Sequence, residues 1–144
     1  MITLEKILTH WESDSEFDRT NVSGELARND KMHSKYLNFL IDHKQAVQKY
    51  EFDLKRMRKL KWEYYSGKMS QIDLDRYKWE PFQLKLKADI PMYIESDDDI
   101  IRIEEKIGYH KKTVEAVELI MKQIHNRNYQ MKSYVDWERF IGGQ

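Results

Sequence analysis

The longest pattern in the chain runs from Asn21 to Tyr65, and it restricts the fold more than any other. Two series of residues step through it in sevens. One holds Leu26, His33, Leu40, Val47, Leu54 and Lys61; the other holds Val22, Asn29, Tyr36, His43, Tyr50, Met57 and Tyr64. Their offsets alternate between three and four, the spacing of a coiled-coil seam on one helical face. Ser66-Gly67 ends the run with Gly just past the last turn, so the spacing predicts one long helix over 21–66. About 40 helical residues extend about 60 Å at 1.5 Å each. A compact globule of this length measures only roughly 35–40 Å across. Such a helix overhangs its own domain, and its seam needs other helices of the chain or other subunits.

The rest of the chain is read against that helix. Ile2 to His10 forms a short amphipathic helix capped by Thr3, with Leu4, Ile7, Leu8 and Trp11 on one face. Glu12 to Asp18 is an acidic break. Phe82, Leu84, Leu86, Ala88 and Ile90 alternate strictly with polar residues between Pro81 and Pro91. Period two predicts an extended, strand-like segment near 82–94. Ser96 or Asp97 caps the next helix, whose seam is Ile100, Ile103, Ile107, His110, Val114, Val117, Met121 and Ile124. Asn126-Arg127-Asn128 interrupts it, and a last amphipathic segment carries Tyr129, Met131, Tyr134, Val135, Trp137, Phe140 and Ile141. The fold class expected is mainly α, a single domain over 1–144.

Composition excludes several function classes. Lys and Arg number 25, as do Asp and Glu, so no global positive field draws the chain to nucleic acid. Leu, Ile, Val and Phe number 34, thin for a compact globule but above a disordered composition. There is no cysteine for disulfides or thiolate metal sites. The N-terminus lacks the basic start and apolar run of a signal peptide, and no stretch approaches a membrane span. The expected compartment is a cytoplasm. No Gly-rich phosphate loop or Gly-x-Ser-x-Gly elbow occurs, and the five histidines lack metal-ligand spacing. His33 and His43 fall on the seam as polar residues that tune register. Asp97-Asp98-Asp99 fits a helix N-terminus better than a cation. Neither enzyme activity, a metal nor a cofactor is expected.

One stretch stands out chemically. In KRMRKLKWEYYSGK, Lys55 to Lys68, five of the first seven residues are basic. On a wheel of 100° per residue, Leu54, Met57, Leu60 and Tyr64 form the apolar face. Lys55, Arg58, Lys59 and Trp62 lie opposite, while Lys61 is nearer the seam with Tyr65 beside it. Residues 44–68 carry a local charge of +5 and residues 95–105 a local charge of −5. The chain is neutral because these blocks cancel. Cations beside aromatics suit single-stranded nucleic acid, whose phosphates meet Lys and Arg while unstacked bases lie on rings. A basic face could equally dock an acidic protein partner in a coiled-coil scaffold, and these residues alone leave both readings open.

Three blocks, KLKWEYYSGK (59–68), EPFQLKLKADIPMYIESDDDI (80–100) and NRNYQMKSYVDWERFIGG (126–143), together resemble the phage recombination-mediator family of the UvsY type. The resemblance follows nearly the whole chain in order. It implies a small helical protein without catalytic activity that binds single-stranded DNA and assembles into a ring of several subunits. It also implies loading of a RecA-like phage recombinase onto strands covered by the phage single-strand-binding protein, in contact with both, in the host bacterial cytoplasm. The family's basic pair before its Tyr-Tyr-Ser/Thr-Gly block falls on Lys59 and Lys61. The self-assembly block falls on Val135, Trp137, Phe140 and Ile141. On this reading residues 1–94 are the DNA-binding part and 97–144 the oligomerisation part. Lys55, Arg58, Lys59, Lys61 and Lys68 would meet phosphates, and Trp62 and Tyr65 would stack on bases.

Overall fold

The computed structural model describes residues 1–143. All regular structure among them is helical: α1 (Leu4–Asp14), α2 (Val22–Tyr65), α3 (Gln71–Tyr77), α4 (Ile90–Glu95) and α5 (Asp98–Ile141), with a 3-10 turn at Lys87–Asp89 leading into α4. The mainly α expectation therefore holds. Thr3 caps α1 as its sequence suggests, its Oγ1 accepting from the Lys6 amide at 3.3 Å. The 44 residues of α2 extend about 66 Å. Asn21 Oδ1 accepts from the Gly24 amide at its start. At its end the Lys68 amide donates to Glu63 O and the Gly67 amide to Tyr64 O, the paired bonds of a Schellman stop. Gly67 has φ +75°, and a Cβ there would lie 2.9 Å from the Gln83 side chain, so the position requires glycine twice over.

Two compact units divide the chain: residues 1–45 with 111–144, and residues 46–110. In the first, Ile7 of α1, Met32 and Tyr36 of α2, and Val117, Ile120 and Ile124 of α5 form the core. Tyr36 is wedged edge-on between Trp11 and Phe39, with ring centroids 5.6 and 5.5 Å away. Its hydroxyl donates to Asp14. Here α2 and α5 run antiparallel, Asn29 lying beside Ile124 and Asn128 while Lys44 reaches Glu118. In the second unit, α3, α4 and the segments joining them close over the facing parts of α2 and α5. Met69, Leu74, Ile90, Ile100 and Ile107 are buried there.

Four details correct the sequence-based expectations. The seam of α2 follows Glu25, Asn29, Met32, Tyr36, His43 and Ala46 and later reaches Lys61, whereas Leu26 and His33 are exposed. Glu25 to Lys61 spans about ten turns at 3.6 residues each, so this helix keeps its own period; a strict seven-residue series drifts off its face. Leu8 is exposed as well. The strand expected near 82–94 is absent: residues 81–86 are irregular and 87–95 are helical. Pro91 sits in the first turn of α4, where its missing N–H leaves no helical bond unmade. Finally, α5 is uninterrupted through Asn126-Arg127-Asn128.

That continuity has a tertiary cause. Arg127 is buried, and its guanidinium donates to Glu25 at 2.6 Å, to Asn29 Oδ1 at 3.2 Å and to the Ser15 carbonyl at 2.9 Å. Asn29 Nδ2 donates to Asn128 Oδ1 at 2.9 Å. Residues that compete with a helix when solvated are here satisfied by the neighbouring helix.

Burial pushes the Glu25 carboxyl up. Hydrogen bonds from Arg28 and the Asp18 amide, with the charges of Arg28 and Arg127, outweigh that and hold it below the ordinary value of 4.5. A depressed folded value contributes stability that is complete above the unfolded value and lost as pH falls through the folded one. Glu25→Gln is therefore expected to cost about 3 kcal/mol at pH 7 by leaving Arg127 buried without its carboxylate. Urea unfolding of both proteins between pH 7 and pH 3 checks it: the gap should narrow on acidification below about pH 4.5.

Candidate nucleic-acid interface

The last three turns of α2 sort the basic stretch onto different faces. Lys55, Lys59 and Trp62 project to solvent together with Phe52, the four spaced three, four and three residues apart along one side of the helix. Phe52 is 47% exposed and Trp62 43%. The Lys55 ammonium lies 5.7 Å from the Phe52 ring centroid, and that of Lys68, just past the Gly67 stop, lies 4.8 Å from Trp62. Neither Lys55 nor Lys59 makes an ion pair among the described residues. The result is a stripe alternating aromatic surface and unneutralised cation. Phe52 lies outside the basic stretch and carries no charge to mark it, although its place three residues before Lys55 continues the same spacing.

Arg58 is exposed but paired with Glu104 at 3.1 Å. An exposed pair of this kind is weak and screened by salt, so the guanidinium can exchange partners.

Lys61 and Tyr65 are placed elsewhere. Lys61 is 5% exposed, and its ammonium lies 3.1 Å from Asp97 and 2.8 Å from Asp99, over the Trp79 ring at 3.7 Å. The Tyr65 hydroxyl donates to Asp97 at 2.6 Å, and its ring packs against Tyr64, Phe82 and Tyr93. Burial, then the hydrogen bond and charge of Asp97, push this phenol well above its usual range. Burial pushes Asp97 up, but hydrogen bonds from Tyr65 and Lys61 outweigh it and hold the carboxyl low. In this geometry Lys61 is not presented to a phosphate, nor Tyr65 to a base. The period that places 61 on the seam signals this for Lys61; nothing local signals that the opposing charges lie at 97 and 99.

The acidic block at 95–105 thus finds basic partners within its own chain, through Asp97, Asp99 and Glu104. Asp97 is also the α5 cap: its Oδ1 accepts from the Asp99 amide at 2.9 Å and the Ile100 amide at 3.3 Å. Toward the C-terminal end of α5, Val135 is half-buried while Trp137, Phe140 and Ile141 are exposed, Trp137 and Phe140 stacked at 5.7 Å. His43 is buried with Nε2 2.9 Å from the Ile2 carbonyl. Among the described residues no group of three His, Asp or Glu side chains could hold a metal, and no helix is long and apolar enough to cross a membrane.

The two lysines two residues apart should behave oppositely. Lys61→Met leaves the buried Asp97 without its cation, while Asp99 keeps Arg102 at 3.1 Å, and is expected to lower stability by about 3 kcal/mol. Lys59→Ala should change it by less than about 0.5 kcal/mol. Urea titration followed by far-UV circular dichroism separates them.

A family model described as "Recombination, repair and ssDNA binding protein UvsY" matches residues 10–144. The recombination protein uvsY of Enterobacteria phage T4 is 23% identical over 143 residues, covering 98% of each chain. Crystal structures of the bacteriophage T4 recombination mediator protein UvsY share the fold. Lattice type II gives a TM-score of 0.84 at 21% identity over 99% of both chains. Lattice type I gives 0.80 at 21% identity over 94% of this chain and 98% of that one.

Proposed function

The chain belongs to the UvsY family of recombination, repair and single-stranded-DNA-binding proteins, and from that premise we propose that it is a non-enzymatic recombination mediator. It binds single-stranded DNA and helps load a RecA-like phage recombinase onto strands covered by the phage single-strand-binding protein, in the host bacterial cytoplasm. The observation that carries this reading is the stripe of Phe52, Lys55, Lys59 and Trp62, continued by Lys68. Unpaired ammonium groups alternate there with exposed rings, the combination that holds phosphates and unstacked bases together. Arg58 joins the site by exchanging Glu104 for a phosphate. Lys61 and Tyr65 serve it by anchoring the end of α2, whose outward face is the stripe.

The exposed Trp137, Phe140 and Ile141, with Val135, support self-assembly into a ring of several subunits. A ring repeats the stripe, so individually weak sites combine through effective concentration. A strand bound across several stripes is drawn away from single-strand-binding protein and offered to the recombinase. The rival reading, a coiled-coil scaffold whose basic face docks an acidic protein, predicts no response to a nucleic acid without acidic side chains.

Each phosphate contact contributes a slope of roughly −0.7 in log affinity against log salt for a single strand. Lys55→Ala with Lys59→Ala should therefore flatten the slope for poly(dT) by about 1.4 while leaving the oligomer intact by light scattering. Binding should quench tryptophan emission reversibly with salt, and Trp62→Phe should remove most of the quench. An unchanged slope in the double variant would sink the site, and no quench at all would favour the scaffold.

A further inference from the structure

A second surface of the 46–110 unit has the same chemistry on a different side of α2. An open groove of about 430 Å³ is lined by Tyr50, Asp53, Arg56, Met57, Leu60, Tyr77, Ile103 and Lys106. That volume falls in the range of sites for small ligands. Met57, Leu60 and Ile103 make its lining partly apolar, and Tyr50 and Tyr77 make it partly aromatic. Tyr77, the last residue of α3, is 37% exposed. Trp79 stacks beside it at 5.0 Å and 27°, and the Arg76 guanidinium lies 5.5 Å from its ring.

The pairing of the two rings depends on Lys78, which takes φ +57° between them. The Trp79 amide bonds back to Leu74 O and the Lys78 amide to Asp75 O, so a left-handed residue turns the chain and brings Trp79 alongside Tyr77. A lysine in that conformation is disfavoured, and the stack it creates holds Tyr77 at the groove. Trp79 is itself held on the buried Lys61 ammonium.

Cations line the groove. Arg56 is strongly exposed, with a long contact of 3.4 Å to Asp53. The Lys106 ammonium lies 5.4 Å from the Tyr50 ring. Asp53 is the single carboxylate of the lining, and it can accept from the exocyclic or ring N–H of a base. A groove whose lining combines two aromatic rings, apolar side chains, one hydrogen-bond acceptor and two cations matches a planar base carrying an anionic backbone better than a purely apolar or purely anionic ligand.

We propose that the groove beside Tyr77 is a second base-binding subsite for single-stranded nucleic acid, with a base lodged against Tyr77 and its flanking phosphates at Arg56 and Lys106. The subsite rests on the mediator reading above and extends it by giving the strand a path. Arg56 stands about 60° around the helix from Lys59, between the stripe and the groove. A strand held by Lys55, Lys59 and Trp62 crosses α2 at Arg56 and enters the groove, so it wraps the helix instead of lying along one side.

Photocrosslinking of the full chain with oligo(dT) carrying 5-iododeoxyuridine tests this directly. An adduct on the peptide containing Tyr77, in addition to adducts on the Phe52–Trp62 stripe, is expected. Adducts confined to the stripe would overturn the subsite. Tyr77→Leu keeps an apolar side chain against Trp79 and should weaken oligo(dT) binding about tenfold, the loss expected of one stacked base, with the salt slope unchanged. Arg56→Gln should flatten the slope by about 0.7. If both variants bind like the native chain while Lys55→Ala with Lys59→Ala still flattens the slope, the subsite is wrong and the mediator reading stands. If that double variant is silent too, the reading beneath it fails.

Discussion

One carboxylate holds the 46–110 unit together. Asp97 Oδ1 takes the first free amides of α5, and its Oδ2 takes the Tyr65 hydroxyl and the Lys61 ammonium. The same side chain therefore starts one long helix and ties down the end of the other. Its low pKa follows from these contacts, which outweigh its burial. The rotation of the last turns of α2 depends on this anchor. With Lys61 turned inward, Lys55, Lys59 and Trp62 must face solvent, because a helix offers no independent choice for residues at fixed angular offsets. A buried cation that touches no ligand thus sets where the exposed cations point.

A corresponding polar knot lies in the other unit, where Glu25, Asn29 and Arg127 stand in place of apolar seam residues and Arg28 pairs with Glu25 from the side. Such a cluster adds little net stability compared with well-packed hydrophobic residues, yet breaking it is expensive. Its value lies in discrimination. Apolar seam residues such as Met32 and Ile124 would tolerate a shift of one turn between α2 and α5, but Arg127 can meet Glu25, Asn29 and Ser15 in one register only. These side chains specify which turn of one helix faces which turn of the other in this unit.

The features legible in the sequence are those set by local chemistry. The ends of α2 follow from Asn21 and Ser66-Gly67, the α1 cap from Thr3, and the α5 cap from the pair Ser96-Asp97, of which Asp97 takes the amides. The seam of α5 was readable to Ile124, and its continuation through Arg127 to Met131 was not, because the residues that look like a break are satisfied by side chains about 100 positions away. The strand expectation failed through Pro91: two prolines read as brackets when one of them starts a helix. Helix α3 carries its own signal, Ser70 accepting from the Asp73 amide three residues on, in a stretch without enough apolar residues to draw notice. Among the site residues, outward Lys55, Lys59 and Trp62 follow from angular position. The fate of Lys61 and Tyr65 required knowing where Asp97 would be.

The antiparallel pairing also bears on how the chain reaches this state. Tyr65 and Asp97 are 32 residues apart, whereas Asn29 and Arg127 are 98 apart. Closing the longer loop from an open chain costs about 1 kcal/mol more in entropy, so the contact at Asp97 is the favoured place to begin. The carboxylate that orients the exposed stripe thus also closes the shorter of the two loops, while the Arg127 knot closes the longer one in the other unit.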